Sequence, residues 1–100
     1  MPRQEKTKQI NVPAIVTSAG TALAANEDRN SWSIQNTGQN PLYVNLGGTA
    51  SDTVFHVVLK GGTADKDGTG GSYSEDGSGT VFTGAITVAG TSPKFVVRES

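Results

Sequence analysis

Cysteine is absent from the 100 residues, which excludes disulfide staples, thiolate nucleophiles and cysteine-ligated zinc. Histidine occurs once, at His56, so no imidazole pair can hold a metal and any imidazole chemistry falls to this one side chain. Aromatic residues make up 6% and hydrophobic residues 34%, enough only for a lean core shared among short elements. No window approaches 18 consecutive apolar residues, so no membrane span is expected. The opening run MPRQEKTKQINVP carries charges but no apolar centre, so no secretory leader is expected either. Eight basic residues against nine acidic ones leave a net charge of −1, which argues against binding nucleic acid by electrostatic attraction.

Turn formers and strand-surface residues are what the chain has in quantity. Gly, Thr, Ser, Asn and Pro account for 44 of the 100 residues. Residues 1–12 read as a polar arm in which only Ile10 and Val12 could anchor, because such a run buries too little apolar surface to offset its ordering entropy. From Pro13 onward the period is two rather than 3.6. Ala14–Thr17 reads as a first strand and Thr21–Ala25 as a short, ambiguous piece. Ser31–Gln35 and Leu42–Leu46 alternate cleanly on either side of a loop dense in Asn, Gly and Pro, the pattern of a β-hairpin whose Trp32, Ile34, Leu42, Val44 and Leu46 share a face. Thr53–Leu59 is the most continuously apolar stretch and reads as a strand covered on both faces. Residues 60–79 hold seven glycines and four acids, a polar excursion held at its middle by Tyr73. Thr80–Val88, bent at Gly84, and Lys94–Arg98 complete the set. The expected fold is all-β, a small sandwich or barrel, jelly-roll-like, of six to eight short antiparallel strands, with residues 13–100 as one domain behind the arm.

Few constellations carry chemistry. His56 reads mainly as a packed or hydrogen-bonded strand histidine. A Ser-His-Asp arrangement around it would make a hydrolase, but no Gly-x-Ser-x-Gly elbow is present. Asp65, Asp67, Glu75 and Asp76 offer hard oxygens in a Gly-rich loop, yet the twelve-residue EF-hand pattern is incomplete and Lys66 offsets part of the charge. No phosphate cradle forms, since no Gly-Lys-Ser/Thr follows the glycines. Trp32 alternates with Ile34 and reads as core. Tyr43 points away from Leu42 and Val44, with Asn45 as its neighbour; it reads first as an ordinary half-exposed strand tyrosine and, of the aromatics, is the better candidate for an exposed contact with protein or carbohydrate.

Arg29, Trp32–Gly38, Pro41–Gly48, Phe55–Leu59, Asp67–Gly71 and Thr83–Thr91 together resemble small virion-associated proteins of tailed bacteriophages, of the capsid decoration (cement) or head-fibre type. The resemblance covers roughly residues 20–97. It implies a trimeric all-β accessory subunit on the capsid surface of the virion, with the major capsid protein as partner and no catalytic residue or cofactor to carry over. Ile10, Val12, Tyr43 and Asn45 are then the expected capsid or subunit contacts. The competing expectation is a carbohydrate- or receptor-binding head domain of a fibre or tail, using Tyr43 and the 60–79 loop.

Overall fold

A computed structural model describes residues 13–76 and 80–100; Ile10 and Val12, and with them the expected arm, lie outside the described residues. Seven strands follow in chain order: β1 Gly20–Leu23, β2 Trp32–Asn36, β3 Leu42–Leu46, β4 Val57–Leu59, β5 Ser72–Glu75, β6 Ile86–Ala89 and β7 Phe95–Glu99. They form two antiparallel sheets, β1-β6-β3-β4 and β5-β2-β7, with no α-helix among the described residues. The all-β expectation and its strand number hold.

The core lies between the sheets. Trp32, Ile34 and Phe95 from one sheet meet Leu42, Val44, Leu59, Ile86 and Val88 from the other, all essentially sealed from water. Burying each of these side chains contributes roughly 1.5–3 kcal/mol. Alternation does the sorting. β2 buries Trp32, Ile34 and Asn36 and leaves Ser33 and Gln35 half-buried on the outer face.

The expected hairpin does not form. β2 pairs with β5 and β7, whereas β3 pairs with β4 and β6, so the two strands face each other across the sandwich. Asn36 makes the corner. Its buried carboxamide donates to the carbonyls of Asn40 (2.8 Å), Leu59 (3.1 Å) and Lys60 (3.2 Å), and accepts from Gly38 N–H (2.9 Å). These bonds lift the chain out of one sheet and start it in the other. The segment after β4 closes over this corner, with Gly62 N–H bonded to Gly38 O and Lys66 N–H to Thr37 O. Approach is so close that a Cβ at Gly61 would lie 2.1 Å from Gln39 O, and one at Gly70 would lie 2.1 Å from Asn36 O.

Other boundaries shift as well. Ala14–Thr17 supplies only a single bridge, Val16 to Phe95, and the first strand is Gly20–Leu23. The polar excursion contains β5, whose Tyr73 pairs with Ile34 and packs on Trp32 at a centroid distance of 5.5 Å. The strand expected from Thr80 begins only at Ile86, because Phe82 folds back against Gly84, where a Cβ would meet its ring at 2.6 Å.

One end of the sandwich is closed by Arg29, whose side chain is fully buried. Its guanidinium donates from Nε to Glu99 (2.8 Å), from Nη1 to the carbonyls of Phe82 (2.8 Å) and Gly84 (3.1 Å), and from Nη2 to Ala24 O (2.7 Å). A planar fork with five donors can bond three separate segments in this way; an ammonium cannot.

Candidate interaction surface

The outer face of the four-stranded sheet carries Tyr43 on β3, Val58 opposite it on β4, and Asn45, Thr87 and Ala89 alongside. The chain between β3 and β4 does not continue as strand. It folds back over this face, anchored where Ala50 N–H donates to Thr87 Oγ1 (3.0 Å) and Thr87 Oγ1 donates to Gly48 O (2.7 Å). Ser51 then makes a tight turn. Its N–H bonds Val54 O (2.9 Å), and its hydroxyl accepts from the N–H groups of Thr53 and Val54. Ser51, Asp52 and Thr53 are residues whose side chains cap such turns, which is why the strand does not extend upstream of Val57.

The consequence is an exposed apolar step. Val54, Phe55 and Val58 are 52%, 40% and 48% exposed. The expectation that 53–59 forms a strand covered on both faces is therefore corrected: only Val57–Leu59 is strand, and only Leu59 is buried. The turn sets Phe55 on Tyr43, ring centroids 5.1 Å apart and tilted by 47°, a favoured aromatic geometry. Beside them a hollow of about 400 Å³ is lined by Asn40, Pro41, Tyr43, Asp52, Gly90 and Thr91. β4 is the edge of its sheet, so this step adjoins an open edge.

Tyr43 is thus where the sequence placed it, half-buried on the outer face. Asn45 is on the same face but buried under the folded-back segment, with its carboxamide oxygen 2.7 Å from His56 Nδ1. Leu46 N–H also points at Nδ1, at 3.2 Å. Asn45 and His56 act as a staple beneath the surface, and Asn45 offers no face of its own to a partner. Among the described residues no Ser, Asp or Glu side chain is hydrogen-bonded to the His56 ring. Sequence reasoning missed Val54, Phe55 and Val58; the cluster Ala50-Ser51-Asp52-Thr53 was the available signal.

The acidic loop disperses its carboxylates. Asp67 accepts from Thr69 N–H and Oγ1, from Ala64 N–H and from the Thr63 hydroxyl. The Thr63 and Thr69 hydroxyls hold it well below the usual carboxylate range. Asp65 pairs with Lys94. Glu75 turns inward to accept from Trp32 Nε1 (2.7 Å), Phe82 N–H (2.9 Å) and the Tyr73 hydroxyl (2.9 Å). Burial raises the Glu75 pKa, but these bonds outweigh it and leave the net shift downward. Among the described residues no three acids or histidines converge on a common point.

Fold and surface together define a seven-stranded, two-sheet β sandwich that presents an ordered aromatic–aliphatic step at one sheet edge. The chain matches no protein-family description, no curated protein and no solved structure.

Proposed function

We propose that this chain is an adhesive structural subunit of the capsid-decoration type, which binds the major capsid protein and its own copies, as a trimer, on the outside of a phage shell and carries out no reaction. The observation that supports it is the exposed step of Tyr43, Val54, Phe55 and Val58, held in place by a hydrogen-bonded turn rather than left as a loose loop. Large apolar side chains fixed outward in a surface otherwise rich in Thr, Ser and Asn mark an association site. Aromatic anchors at the centre of a standard contact, which buries about 800 Å² per partner, carry a disproportionate share of binding energy. Repetition around a symmetry axis multiplies a modest contact into firm attachment.

Co-sedimentation of the purified chain with phage particles made by the genome that encodes it tests this reading. Saturable binding is expected, and Val58→Lys should abolish it while leaving the melting transition in place, because Val58 is half exposed. Absence of the wild-type chain from pelleted particles overturns the proposal.

A second reading, a carbohydrate- or receptor-binding head domain, draws on the hollow beside Tyr43, where an aromatic ring meets Asn40, Asp52 and Thr91. A glycan array followed by Tyr43→Ala on any hit decides it; retention of glycan binding in that variant, or no hit at millimolar ligand, removes this reading.

A further inference from the structure

β3 ends with a backbone donor that no strand receives. Gly47 N–H bonds Ala85 O in line with the β3–β6 ladder, and successive N–H groups of a strand point to opposite sides. Leu46 N–H therefore points away from β6, toward the line of β4. The β4 register sets Leu42, Tyr43 and Val44 opposite Leu59, Val58 and Val57, and carried further it would set Leu46 opposite Phe55. The chain leaves that line early. His56 N–H bonds Val44 O (2.8 Å), so His56 and Val57 both face Val44, two residues against one as in a β-bulge. Phe55 is thereby turned off the ladder and onto Tyr43. Its place beside Leu46 N–H is taken by the His56 ring, with Nδ1 at 3.2 Å.

That nitrogen has two neighbours with opposite demands. Leu46 N–H needs a lone pair on Nδ1, whereas the carboxamide oxygen of Asn45, 2.7 Å away, needs a proton there. One nitrogen carries either the lone pair or the proton. A neutral ring with its proton on Nε2 accepts from Leu46, and the Asn45 carboxamide then turns its NH2 to the same lone pair. A doubly protonated ring donates to the Asn45 oxygen in a charge-assisted bond and sets N–H against N–H at Leu46. The titratable residues on the elements around the ring are Tyr43 on β3, Asp52 in the turn and Lys60 just past β4; β1 and β6 contain none. None of those three is hydrogen-bonded to the ring, whose partners are Asn45 and Leu46.

We propose that His56 is a proton-operated clasp on the folded-back segment 47–56, which carries Val54 and Phe55. The neutral ring joins the far end of that segment to Leu46 at its near end and holds Phe55 on Tyr43. Protonation moves the ring from Leu46 to the Asn45 oxygen, draws the adjoining Phe55 off Tyr43 and leaves Leu46 N–H open to water. Histidine changes charge between about pH 5 and 8, so the apolar step is presented differently at the two ends of that range. A charge-assisted bond replaces neutral ones, so the change is local and the melting midpoint scarcely moves. The clasp is a property of the isolated subunit and is independent of which partner docks on the step.

Nuclear magnetic resonance of the isotope-labelled full chain, followed from about pH 8 to 5, tests it. Ring nitrogen shifts should show the proton on Nε2 and none on Nδ1 at the alkaline end. As the ring titrates, the Leu46 amide should shift with the same midpoint. Its exchange with solvent should become about five- to tenfold faster than the change of pH alone accounts for. Overhauser contacts between the Phe55 and Tyr43 rings should weaken in step. In His56→Phe, which has no acceptor at any pH, Leu46 should be poorly protected throughout and both responses should vanish. A proton on Nδ1 of the neutral ring overturns the clasp, as does a Leu46 amide or a Phe55–Tyr43 contact indifferent to the ring's titration. A pH response that persists in His56→Phe overturns it equally.

Discussion

Replacing Arg29 by Met keeps most of the buried stem and removes every donor. Four acceptors depend on that guanidinium: Glu99 Oε1 and the carbonyls of Ala24, Phe82 and Gly84. A hydrogen bond from a charged donor contributes about 1.5–3 kcal/mol, and an acceptor left buried without a partner costs about 1–3 kcal/mol. The four do not add, because Glu99 is a third exposed and can turn to water. The three carbonyls remain, so a loss of about 3–5 kcal/mol is expected, the range for breaking a buried charged cluster from one side. In a domain of this size each kcal/mol moves the melting midpoint by about 4–8 °C, so a fall of at least about 12 °C follows. Urea titration followed by Trp32 fluorescence gives the free energy directly. Glu99→Gln, which retains an acceptor oxygen, should cost less than about 1 kcal/mol and thereby separates the carbonyl clamp from the ion pair. A loss below about 1 kcal/mol in Arg29→Met would refute the view that this side chain ties three segments together.

Acid should unfold the protein through the same end of the sandwich. The Arg29 contact holds Glu99 below the ordinary glutamate range, and Glu75 also lies below it on balance, so both bind protons less readily when folded. Their stabilisation is complete above the unfolded pKa of about 4.3 and is lost as pH falls through the lower folded values; the midpoint should be flat from pH 7 to about 5 and then drop, less steeply in Glu99→Gln. A midpoint that rises on acidification contradicts this. Thr37 Oγ1 is buried without a hydrogen-bond partner, so Thr37→Val should be neutral or stabilise by about 1 kcal/mol, checked by thermal melting. Gly70→Ala places a methyl 2.1 Å from Asn36 O and must force the 60–71 segment off the β2–β3 corner, with a loss above about 2 kcal/mol; wild-type stability in that variant would show that the corner yields freely.

Much of the fold is legible in the sequence because alternation decides which side of a strand is buried. Trp32, Ile34, Leu42 and Val44 are all core, as their spacing requires. What alternation does not decide is the neighbour. Two adjacent alternating strands bury the same residues whether they pair within one sheet or face each other across two. Here Asn36 chooses the second arrangement through three donated bonds to carbonyls, two of them more than twenty residues away, and no local pattern of turn residues announces that. β5 was hidden for a related reason. Its Ser72-Tyr73-Ser74-Glu75 is polar at every position but one, yet Glu75 is satisfied inside by Trp32, Tyr73 and Phe82, so a carboxylate takes the place of an apolar strand residue.

The interaction surface was illegible in the opposite sense. An apolar run such as Val54–Leu59 says that water is to be excluded from those side chains, not which molecule excludes it. A strand in the core and an anchor awaiting a partner have the same composition. The two separate only when the flanking turn is worked out. The Ser51 hydroxyl takes the N–H groups of Thr53 and Val54 into a turn, and that leaves Val54 and Phe55 outside the sheet, with the Phe55 ring on Tyr43. In a chain with 34% hydrophobic residues and a small core, three large apolar side chains held outside are a substantial part of what burial has to offer. Their placement is most simply understood if the burial left incomplete in one subunit is completed on another protein.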